Sequence, residues 1–370
     1  MTVACSSVTT PTLLLNESVC KGNIARMAQK AARHNLVFRP HFKTHQSYHI
    51  GRWFRQAGVE RITVSSLSMA AYFARHGWQD ITVAFPVNLL EIQTINRLAR
   101  AIKLNLLVES TEAVDFLSKN LTSPLSVFIK IDVGYSRTGI LPGNTSLIDK
   151  ILEKIRNSNS LAFAGFLAHA GHSYQAETRQ EILGIHTTSL ALLQKLKKHY
   201  LPAFPHLMVS VGDTPTCSLA DNFDGIDEIR PGNFVFYDLT QWVIGSCGFD
   251  EIALAMACPV VAKHLDRNEL IIYGGAVHFS KDFITPGGTA KRVYGKVVNI
   301  TADGWQLPKN DSENYIFKLS QEHGTIKASY AVLNRYNIGD LIGIIPAHAC
   351  LTANLMKYYR TLSGKLISRL

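Results

Sequence analysis

The chain has 370 residues, of which 46% are hydrophobic and 18% charged, an ordinary globular balance with enough apolar material for a large core. The net charge is +10 but contains no long basic run, which argues against a nucleic-acid partner and leaves small anionic substrates or general solubility as its explanation. The six cysteines form no C-x-x-C pair, no segment reaches the ~20 apolar residues of a spanning helix, and the amino terminus does not resemble a signal peptide. We therefore expect a cytoplasmic protein with no membrane partner.

From Asn16 onward, amphipathic segments alternate with short β-rich runs. An apolar stripe at helical spacing predicts a helix over residues 16–35. Eight β-rich runs follow, separated by helical segments, at residues 36–38, 62–64, 81–85, 104–108, 127–131, 163–167, 207–210 and 226–229. This alternation favours an α/β fold, a (β/α)8 barrel of the TIM type. The first run is not followed by G-x-G-x-x-G, which argues against a dinucleotide fold.

The pattern changes beyond about residue 240. Runs rich in β-branched residues, separated by Gly, Pro and Asn turns, predict an all-β domain and lie at residues 255–261, 269–273, 292–299 and 341–345. We therefore expect a barrel over residues 12–245 and a C-terminal β domain over residues 246–370. Residues 1–11 are a candidate addition to the second domain.

Lys43 lies in the segment Arg39–His45, directly after the first predicted strand. The chemistry of a barrel lies on the loops that follow its strands, and lysine becomes a nucleophile or Schiff-base former when desolvated or placed beside other cations. Arg39, His41 and His45 supply such neighbours. Taken alone, the segment could equally be a basic turn, and the two histidines could tune the lysine or simply pack.

Polar, glycine-containing loops follow four other predicted strands: Asp132–Gly139, His169–Tyr174, Gly212–Thr216 and Arg230–Asn233. The loops after the seventh and eighth strands of a barrel commonly hold a phosphate, although each is also an ordinary turn by itself. Two phosphate-type loops, a lysine, an arginine and a histidine on one rim predict a pyridoxal phosphate site.

A second motif, His348-Ala349-Cys350, lies in the predicted β domain. In an extended segment, residues two apart face the same side, so an imidazole and a thiolate could reach one Zn²⁺ and leave positions for water or substrate. The motif is also compatible with a surface histidine beside a buried cysteine. A third interpretation makes Cys350 a nucleophile with His348 as its base.

Together, these segments resemble the D-serine dehydratase and D-threonine aldolase group of fold-type III pyridoxal phosphate enzymes, which are related to alanine racemase. The resemblance runs from about Thr12 to about Met356. It implies an alanine racemase-like barrel bearing the cofactor, a C-terminal β domain and a homodimer.

The resemblance also implies roles for individual residues. Lys43 would be the Schiff-base lysine, Arg137 would approach the phenolic oxygen of the cofactor, and His169 would pack against the pyridine ring. Tyr174 would lie at the cofactor as a candidate for the substrate carboxylate. The phosphate would be held by Gly212, Thr214, Gly232 and Asn233.

Other positions stay open or are interpreted as structural. Glu228 and Arg230 both face one side of their strand, so the sequence does not decide which of them approaches the pyridine nitrogen. Asp132 and His172 are interpreted as structural. Three further cysteines are interpreted as small core residues: Cys217, Cys247 and Cys258.

The His-x-Cys pair matches the zinc ligands of D-serine dehydratases, whereas an aspartate stands at the position of Cys350 in D-threonine aldolases, with a harder metal. The resemblance therefore implies a lyase that eliminates water from a D-3-hydroxy amino acid such as D-serine, giving a 2-oxo acid and ammonia. The alternative is an aldolase that cleaves the Cα–Cβ bond of a D-threonine-like substrate. A racemase, or a cofactor-binding protein without activity, is less favoured.

Overall fold

The computed structural model describes residues 8–309 and 313–370. Its strands are β1 (Thr12–Leu15), β2 (Val37–Phe38), β3 (Arg61–Val64), β4 (Asp80–Pro86), β5 (Lys103–Val108), β6 (Leu125–Ile131), β7 (Leu161–Ala168), β8 (Met208–Val211), β9 (Glu228–Ile229), β10 (Leu254–His264), β11 (Glu269–Tyr273), β12 (Gly295–Thr301), β13 (Gly304–Gln306), β14 (Tyr315–Leu319), β15 (His323–Lys327), β16 (Leu341–Pro346), β17 (Tyr358–Thr361) and β18 (Leu366–Ser368).

The α-helices of the described residues are α1 (Glu17–Arg33), α2 (Tyr48–Gln56), α3 (Leu67–Arg75), α4 (Ile92–Ala101), α5 (Thr111–Asn120), α6 (Thr145–Arg156), α7 (Arg179–Tyr200), α8 (Thr214–Leu219), α9 (Leu239–Val243), α10 (Ala276–Phe279), α11 (Tyr330–Arg335) and α12 (Ala349–Leu355). The chain divides into two compact units. One spans residues 25–232, and the other combines the described residues up to Ile24 with residues 233–370.

Residues 25–232 form a barrel of eight parallel strands in the order β2-β9-β8-β7-β6-β5-β4-β3. A parallel bridge between His41 and Thr63, at the ends of β2 and β3, joins the two edges. The strands read as nearly continuous apolar runs because parallel strands with helices outside are buried on both faces. All eight predicted strands, and the predicted barrel, are confirmed.

Side-chain caps fix where several barrel helices begin. The side chain of Ser66 accepts the Met69 N–H at the start of α3, and Ser110 caps α5 in the same way. Asn144 caps α6 and Thr178 caps α7. Each cap satisfies a backbone donor that the helix leaves unpaired, and so sets the length of the loop between strand end and helix.

The second unit is built on a mostly antiparallel sheet, with the strand order β11-β15-β14-β12-β16-β10-β1-β17-β18 and β13 paired to β12. The predicted β-rich character of this region is therefore confirmed. The unit boundaries differ from the predicted 12–245 and 246–370, since the structure separates the units at Gly232 and again within α1. The reason is β1, which pairs antiparallel with β10 and parallel with β17 and so draws the N-terminal segment into the second unit.

Among the described residues, the helices are all too short or too polar to cross a membrane.

Candidate active site

The predicted site residues of the barrel unit all follow the carboxyl ends of parallel strands. Lys43 follows β2, Arg137 follows β6, and His169 directly follows β7. Gly212 directly follows β8, and Gly232 follows β9. Because parallel strands end at the same edge of a barrel, these residues belong to one rim.

Lys43 lies in a turn that its neighbour His41 helps to shape. The Lys43 backbone N–H donates to His41 Nδ1 over 3.4 Å, and the Gln46 side chain donates to the Lys43 carbonyl over 3.0 Å. Burial lowers the pKa of His41 well below its usual value, and the charges of Lys43 and Arg230 act in the same direction. His41 is therefore a neutral imidazole whose Nδ1 accepts and whose Nε2 carries the proton.

The loop carrying Arg137 is folded back on itself by Asp132. One Asp132 oxygen accepts the backbone N–H groups of residues 134, 135 and 136, each over 3.0 Å. Gly139 has φ +111°, and a Cβ there would lie 2.7 Å from the Asp132 nitrogen, so glycine is required at that position. The prediction that Asp132 orders its loop is consistent with these bonds.

Tyr135, in the same loop, joins two predicted site residues. The Arg137 guanidinium lies over the Tyr135 ring at 4.9 Å, and the His169 ring meets it edge-on at 5.8 Å. A Cβ on Gly171 would lie 2.4 Å from the Tyr135 ring, so the loop after β7 is tightly packed against this tyrosine. The sequence reasoning missed Tyr135, although it stands inside the motif that contains Arg137.

His169 is held by a hydrogen bond in which its Nδ1–H donates to the Gly212 carbonyl. Burial lowers the pKa of His169 to about 3; the Gly212 carbonyl opposes this shift, and the nearby Lys43 and Arg137 charges add to it. The ring is therefore neutral, with its lone pair on Nε2. This arrangement links the loop after β7 to the loop after β8.

The predicted phosphate loop after β8 is fixed by a buried carboxylate. Asp213 caps α8 by accepting the Thr216 N–H over 2.8 Å, and it also accepts the Ser173 hydroxyl over 2.8 Å. The Tyr174 hydroxyl accepts the Thr214 N–H over 3.2 Å, which places Tyr174 at this loop. The sequence reasoning missed Asp213, although an Asp before Thr-Pro is a helix-cap signal.

Two glycines lie in close contact with neighbouring backbone at the rim. A Cβ on Gly212 would lie 2.8 Å from the Arg230 carbonyl carbon, and a Cβ on Gly232 would lie 3.0 Å from the carbonyl oxygen of His41. Glycine at these two points therefore lets the loops after β2, β8 and β9 pack closely against one another.

Glu228 and Arg230 have different partners inside the barrel. Glu228 is fully buried, accepts the Arg39 Nε–H over 2.6 Å and the Ser210 hydroxyl over 2.7 Å, and so has partners for both oxygens. Arg230 donates to the Ser210 hydroxyl over 2.6 Å and to the Ala168 carbonyl over 2.5 Å, at the end of β7. The Arg230 charge also contributes to the lowered pKa of both His41 and His169.

Asn233, predicted to hold phosphate, is placed differently from the other rim residues. It opens the second unit, and its amide Nδ2 donates to Asp238 over 2.6 Å and approaches the Cys350 sulfur at 3.6 Å. Its Oδ1 is buried with no hydrogen-bond partner among the described residues. The side chain therefore belongs to the His-x-Cys cluster.

The sequence predicts an extended segment for His348 and Cys350. The structure instead places them at the start of a helix. His348 is the residue before α12, and Cys350 is the second residue of that helix. The two side chains are hydrogen-bonded, and His348 Nδ1 lies 3.2 Å from Asp238 Oδ2. Burial alone would lower the pKa of His348, but Cys350 and Asp238 outweigh it and raise that pKa well above its usual value.

The residues present fit both predicted groups. The cations Lys43, Arg137 and Arg230 suit a phosphorylated, anionic cofactor with a covalent lysine. An imidazole and a thiol suit Zn²⁺. In the described ranges, no group of three or more His, Cys, Asp or Glu side chains could hold a metal ion, so the protein would supply two of these ligands.

Comparison with known proteins defines the class. Residues 16–239 match the family model "Alanine racemase, N-terminal domain", and residues 253–362 match "Putative serine dehydratase domain". The chain is 31% identical to D-serine dehydratase of Dictyostelium discoideum, over 97% of this chain and 94% of the relative. It is 30% identical to D-threo-3-hydroxyaspartate dehydratase of Delftia sp. (strain HT23), over 96% and 94%.

Solved structures of D-threo-3-hydroxyaspartate dehydratase superpose over 100% of this chain. A cysteine-to-alanine variant in the metal-free form gives a TM-score of 0.90 at 28% identity and covers 99% of that chain. A histidine-to-alanine variant gives 0.90 at 27% and 96% coverage. A D-threonine aldolase of Arthrobacter matches 47% of this chain and 46% of its own length, at 27% identity.

The fold and the site thus define a lyase built on the alanine racemase-type barrel, and this class supports pyridoxal phosphate as cofactor. The chain belongs to the D-serine dehydratase family. The predicted fold class and enzyme class are confirmed. The roles of individual residues stay predictions.

Proposed function

We propose that the protein is a pyridoxal phosphate- and Zn²⁺-dependent lyase that eliminates water from a D-3-hydroxy amino acid of the D-serine type, giving a 2-oxo acid and ammonia. The observation that carries this proposal is that one chain holds both the Lys43 rim, with the guanidinium groups of Arg137 and Arg230, and a half-buried His348–Cys350 pair. The first feature suits the cofactor, and the second suits the metal.

Lys43 is the residue proposed to hold the cofactor covalently and to move the α-proton at its Nζ. Pyridoxal phosphate, when bound, supplies an electron sink for the bond that is broken at Cα. Both rim histidines are held neutral, and His169 already commits its Nδ1–H to the Gly212 carbonyl. An imidazole with so low a pKa is a poor proton acceptor at neutral pH, which favours the lysine amine as the base.

The remaining rim residues bind and orient. Arg137 and Arg230 provide positive charge for the anionic groups of cofactor and substrate. Gly212, Thr214 and Gly232 are proposed to hold the phosphate, and the bond from the Thr214 N–H to the Tyr174 hydroxyl fastens the start of α8. The Asn233 side chain is not proposed for this role, because its amide hydrogens are directed to Asp238 and Cys350.

The proposed metal ligands are His348 and Cys350. A Zn²⁺ ion would supply Lewis acidity for the hydroxyl that leaves, which is otherwise a poor leaving group near neutral pH. Two variants of D-threo-3-hydroxyaspartate dehydratase support this assignment, since their substituted histidine and cysteine stand two residues apart, as His348 and Cys350 do, and the cysteine variant was solved in a metal-free form.

The reaction is tested by incubating the protein, reconstituted with pyridoxal phosphate and Zn²⁺, with D-serine, D-threonine and D-threo-3-hydroxyaspartate in separate reactions. We expect 2-oxo acid and ammonia in equal amounts from at least one of them. Glycine and an aldehyde as the main products would instead establish the aldolase. Turnover of none of the three would overturn the proposed lyase.

The lysine is tested by borohydride reduction, which fixes a covalently held cofactor, followed by peptide mass spectrometry. We expect the reduced cofactor to be attached to Lys43 in the wild type and to be absent from Lys43→Ala. Lys119→Ala is the control, because Lys119 is an exposed residue in the last turn of α5. A label elsewhere in the wild type would remove Lys43 from this role.

The metal requirement is tested by prolonged EDTA treatment followed by gel filtration. We expect the treated protein to keep its bound pyridoxal phosphate but to lose elimination, and Zn²⁺ to restore it. Full activity after zinc removal verified by elemental analysis would contradict the requirement.

We further propose a cytoplasmic homodimer, on the basis of family membership. Light scattering coupled to size-exclusion chromatography tests the oligomeric state. A mass near twice the 41.0 kDa of the chain is expected, and a monomer at micromolar concentration would contradict it.

A further inference from the structure

The carboxylate of Asp238 lies at the centre of the cluster that contains His348 and Cys350. It is fully buried and stands immediately before α9. Its Oδ1 accepts the Gln241 N–H over 3.0 Å and thereby caps that helix. Its Oδ2 lies 2.6 Å from Asn233 Nδ2, 2.9 Å from the Ala349 backbone nitrogen and 3.2 Å from His348 Nδ1.

Three donors on one carboxylate oxygen exceed its two lone pairs, so Oδ2 has no lone pair left for a cation. Asp238 is therefore not itself a metal ligand in this arrangement. It acts on the ligand beside it, because the contact with His348 Nδ1 would keep a proton on that nitrogen and leave Nε2 to the metal when a Zn²⁺ ion displaces the other ring proton. The bond from the Ala349 N–H fixes the turn between His348 and Cys350 at the same time.

Asn233 connects Asp238 to the Cys350 thiol. Its Nδ2 donates to Asp238 and lies 3.6 Å from the Cys350 sulfur, and the side chain is only 2% exposed. A hydrogen bond to sulfur stabilises the thiolate, which is the form that binds metal. The Asn233 amide thus connects Asp238, the partner of His348, to Cys350.

We propose that Asp238 and Asn233 are the positioning residues of the metal pair: Asp238 holds His348 for coordination through Nε2, and Asn233 holds Cys350 relative to it. This inference rests on the proposed zinc requirement. It assigns a role to two residues that do not touch the metal, and it removes Asn233 from the phosphate site.

The test measures Zn²⁺ affinity by competition with a chromophoric chelator, on full-length protein loaded with pyridoxal phosphate. In Asp238→Ser the hydroxyl can still cap α9 but is too short to reach His348. We expect a roughly 10–100-fold loss of Zn²⁺ affinity, with cofactor content and circular dichroism unchanged. Asn233→Ala should also lose affinity, by a smaller factor.

The control is Ser329→Ala. Ser329 caps α11 in the same unit by accepting the Val332 N–H, so its loss should lower the melting temperature without changing Zn²⁺ affinity. If Asp238→Ser does not fold, Asp238→Asn serves instead, since an amide can cap the helix but cannot accept from all the present donors.

Wild-type affinity in a folded Asp238 variant would overturn the positioning role while leaving the zinc requirement intact. A failure of the zinc requirement itself would give a different result. If the wild type itself takes up no Zn²⁺, the zinc requirement falls and the positioning role falls with it.

Discussion

The guanidinium of Arg137 lies over the ring of Tyr135, 4.9 Å from the ring centroid, and the His169 ring meets the same tyrosine edge-on at 5.8 Å. Tyr135 therefore holds a predicted cofactor-binding cation and a predicted ring-packing histidine against one aromatic surface. A cation above an aromatic face at an exposed site is stabilised by about 0.5–1 kcal/mol.

We expect Tyr135→Leu to weaken pyridoxal phosphate binding by roughly five-fold, which corresponds to about 1 kcal/mol. The physical reason is that Arg137 and His169 lose the surface that orients them. Cofactor affinity is measured by fluorescence titration of cofactor-free protein. Tyr135→Phe keeps the ring and should bind as the wild type does; equal loss in both variants would show that the hydroxyl, and not the ring, matters.

Inside the barrel, the Glu228 carboxylate pairs with Arg39 over 2.6 Å, and Arg39 also pairs with Asp80 over 2.6 Å. Removing the charge of one partner in a buried pair leaves the other uncompensated, which typically costs about 3–5 kcal/mol. Since Arg39 keeps Asp80, we expect Glu228→Gln to lower the free energy of unfolding by about 3 kcal/mol, at the lower end of that range.

Urea unfolding followed by circular dichroism measures this effect. The control is Asp115→Asn, which breaks the exposed pair with Lys154 on the same unit and should cost about 1 kcal/mol or less. Similar losses in the two variants would contradict the buried network as a stabilising feature of the barrel.

The barrel could be predicted from the sequence because its signal is local. Each strand is a short apolar run bounded by helical periodicity, and β5 is an example, with all residues from Leu104 to Val108 buried. The unit boundary could not be predicted, because it depends on β1 pairing with β10 some 240 residues away, and a short apolar segment carries no sign of its partner.

The candidate site could likewise be predicted only in part. The rim position of Lys43 follows from its place after a strand, but the direction of a side chain depends on contacts made far along the chain. Asn233 is the clearest case: its motif resembles a phosphate loop, while Asp238 and Cys350 determine where its amide is directed. The partner of Glu228 inside the barrel, Arg39, likewise lies about 190 residues earlier in the sequence.

Gly212 offers a test of the proposed phosphate loop after β8. A Cβ at this position would lie 2.8 Å from the Arg230 carbonyl carbon, so the loop after β8 must shift to accommodate alanine. Overpacking of this kind costs about 1–3 kcal/mol, and we expect Gly212→Ala to weaken pyridoxal phosphate binding by roughly 5- to 150-fold.

The matched control is Gly184→Ala. Gly184 lies in α7, and a Cβ there would meet no atom within 4 Å. This substitution should leave cofactor affinity unchanged and stabilise the helix by up to about 1 kcal/mol. Unchanged affinity in Gly212→Ala, measured by the same titration, would show that the loop does not contact the cofactor.

His169 predicts a pH dependence of stability in the cofactor-free protein. Burial lowers its pKa to about 3 in the folded state, whereas an unfolded histidine titrates near 6.5. Between these values the unfolded chain binds a proton that the folded chain does not, so this group removes stability as the pH falls below about 6.5. The slope is about 1.4 kcal/mol per pH unit, and the loss is complete near the folded pKa.

We therefore expect His169→Gln to flatten the pH dependence of the unfolding free energy between pH 6.5 and 4.5 by nearly one proton, as measured by urea titrations at fixed pH. The part of the slope that remains would include His41, whose pKa burial also lowers. Gly184→Ala, which removes no titratable group, should keep the wild-type slope. An unchanged slope in His169→Gln would mean that His169 accepts a proton as readily in the folded chain as in the unfolded one, and it would then have to be reconsidered as an acid in the reaction.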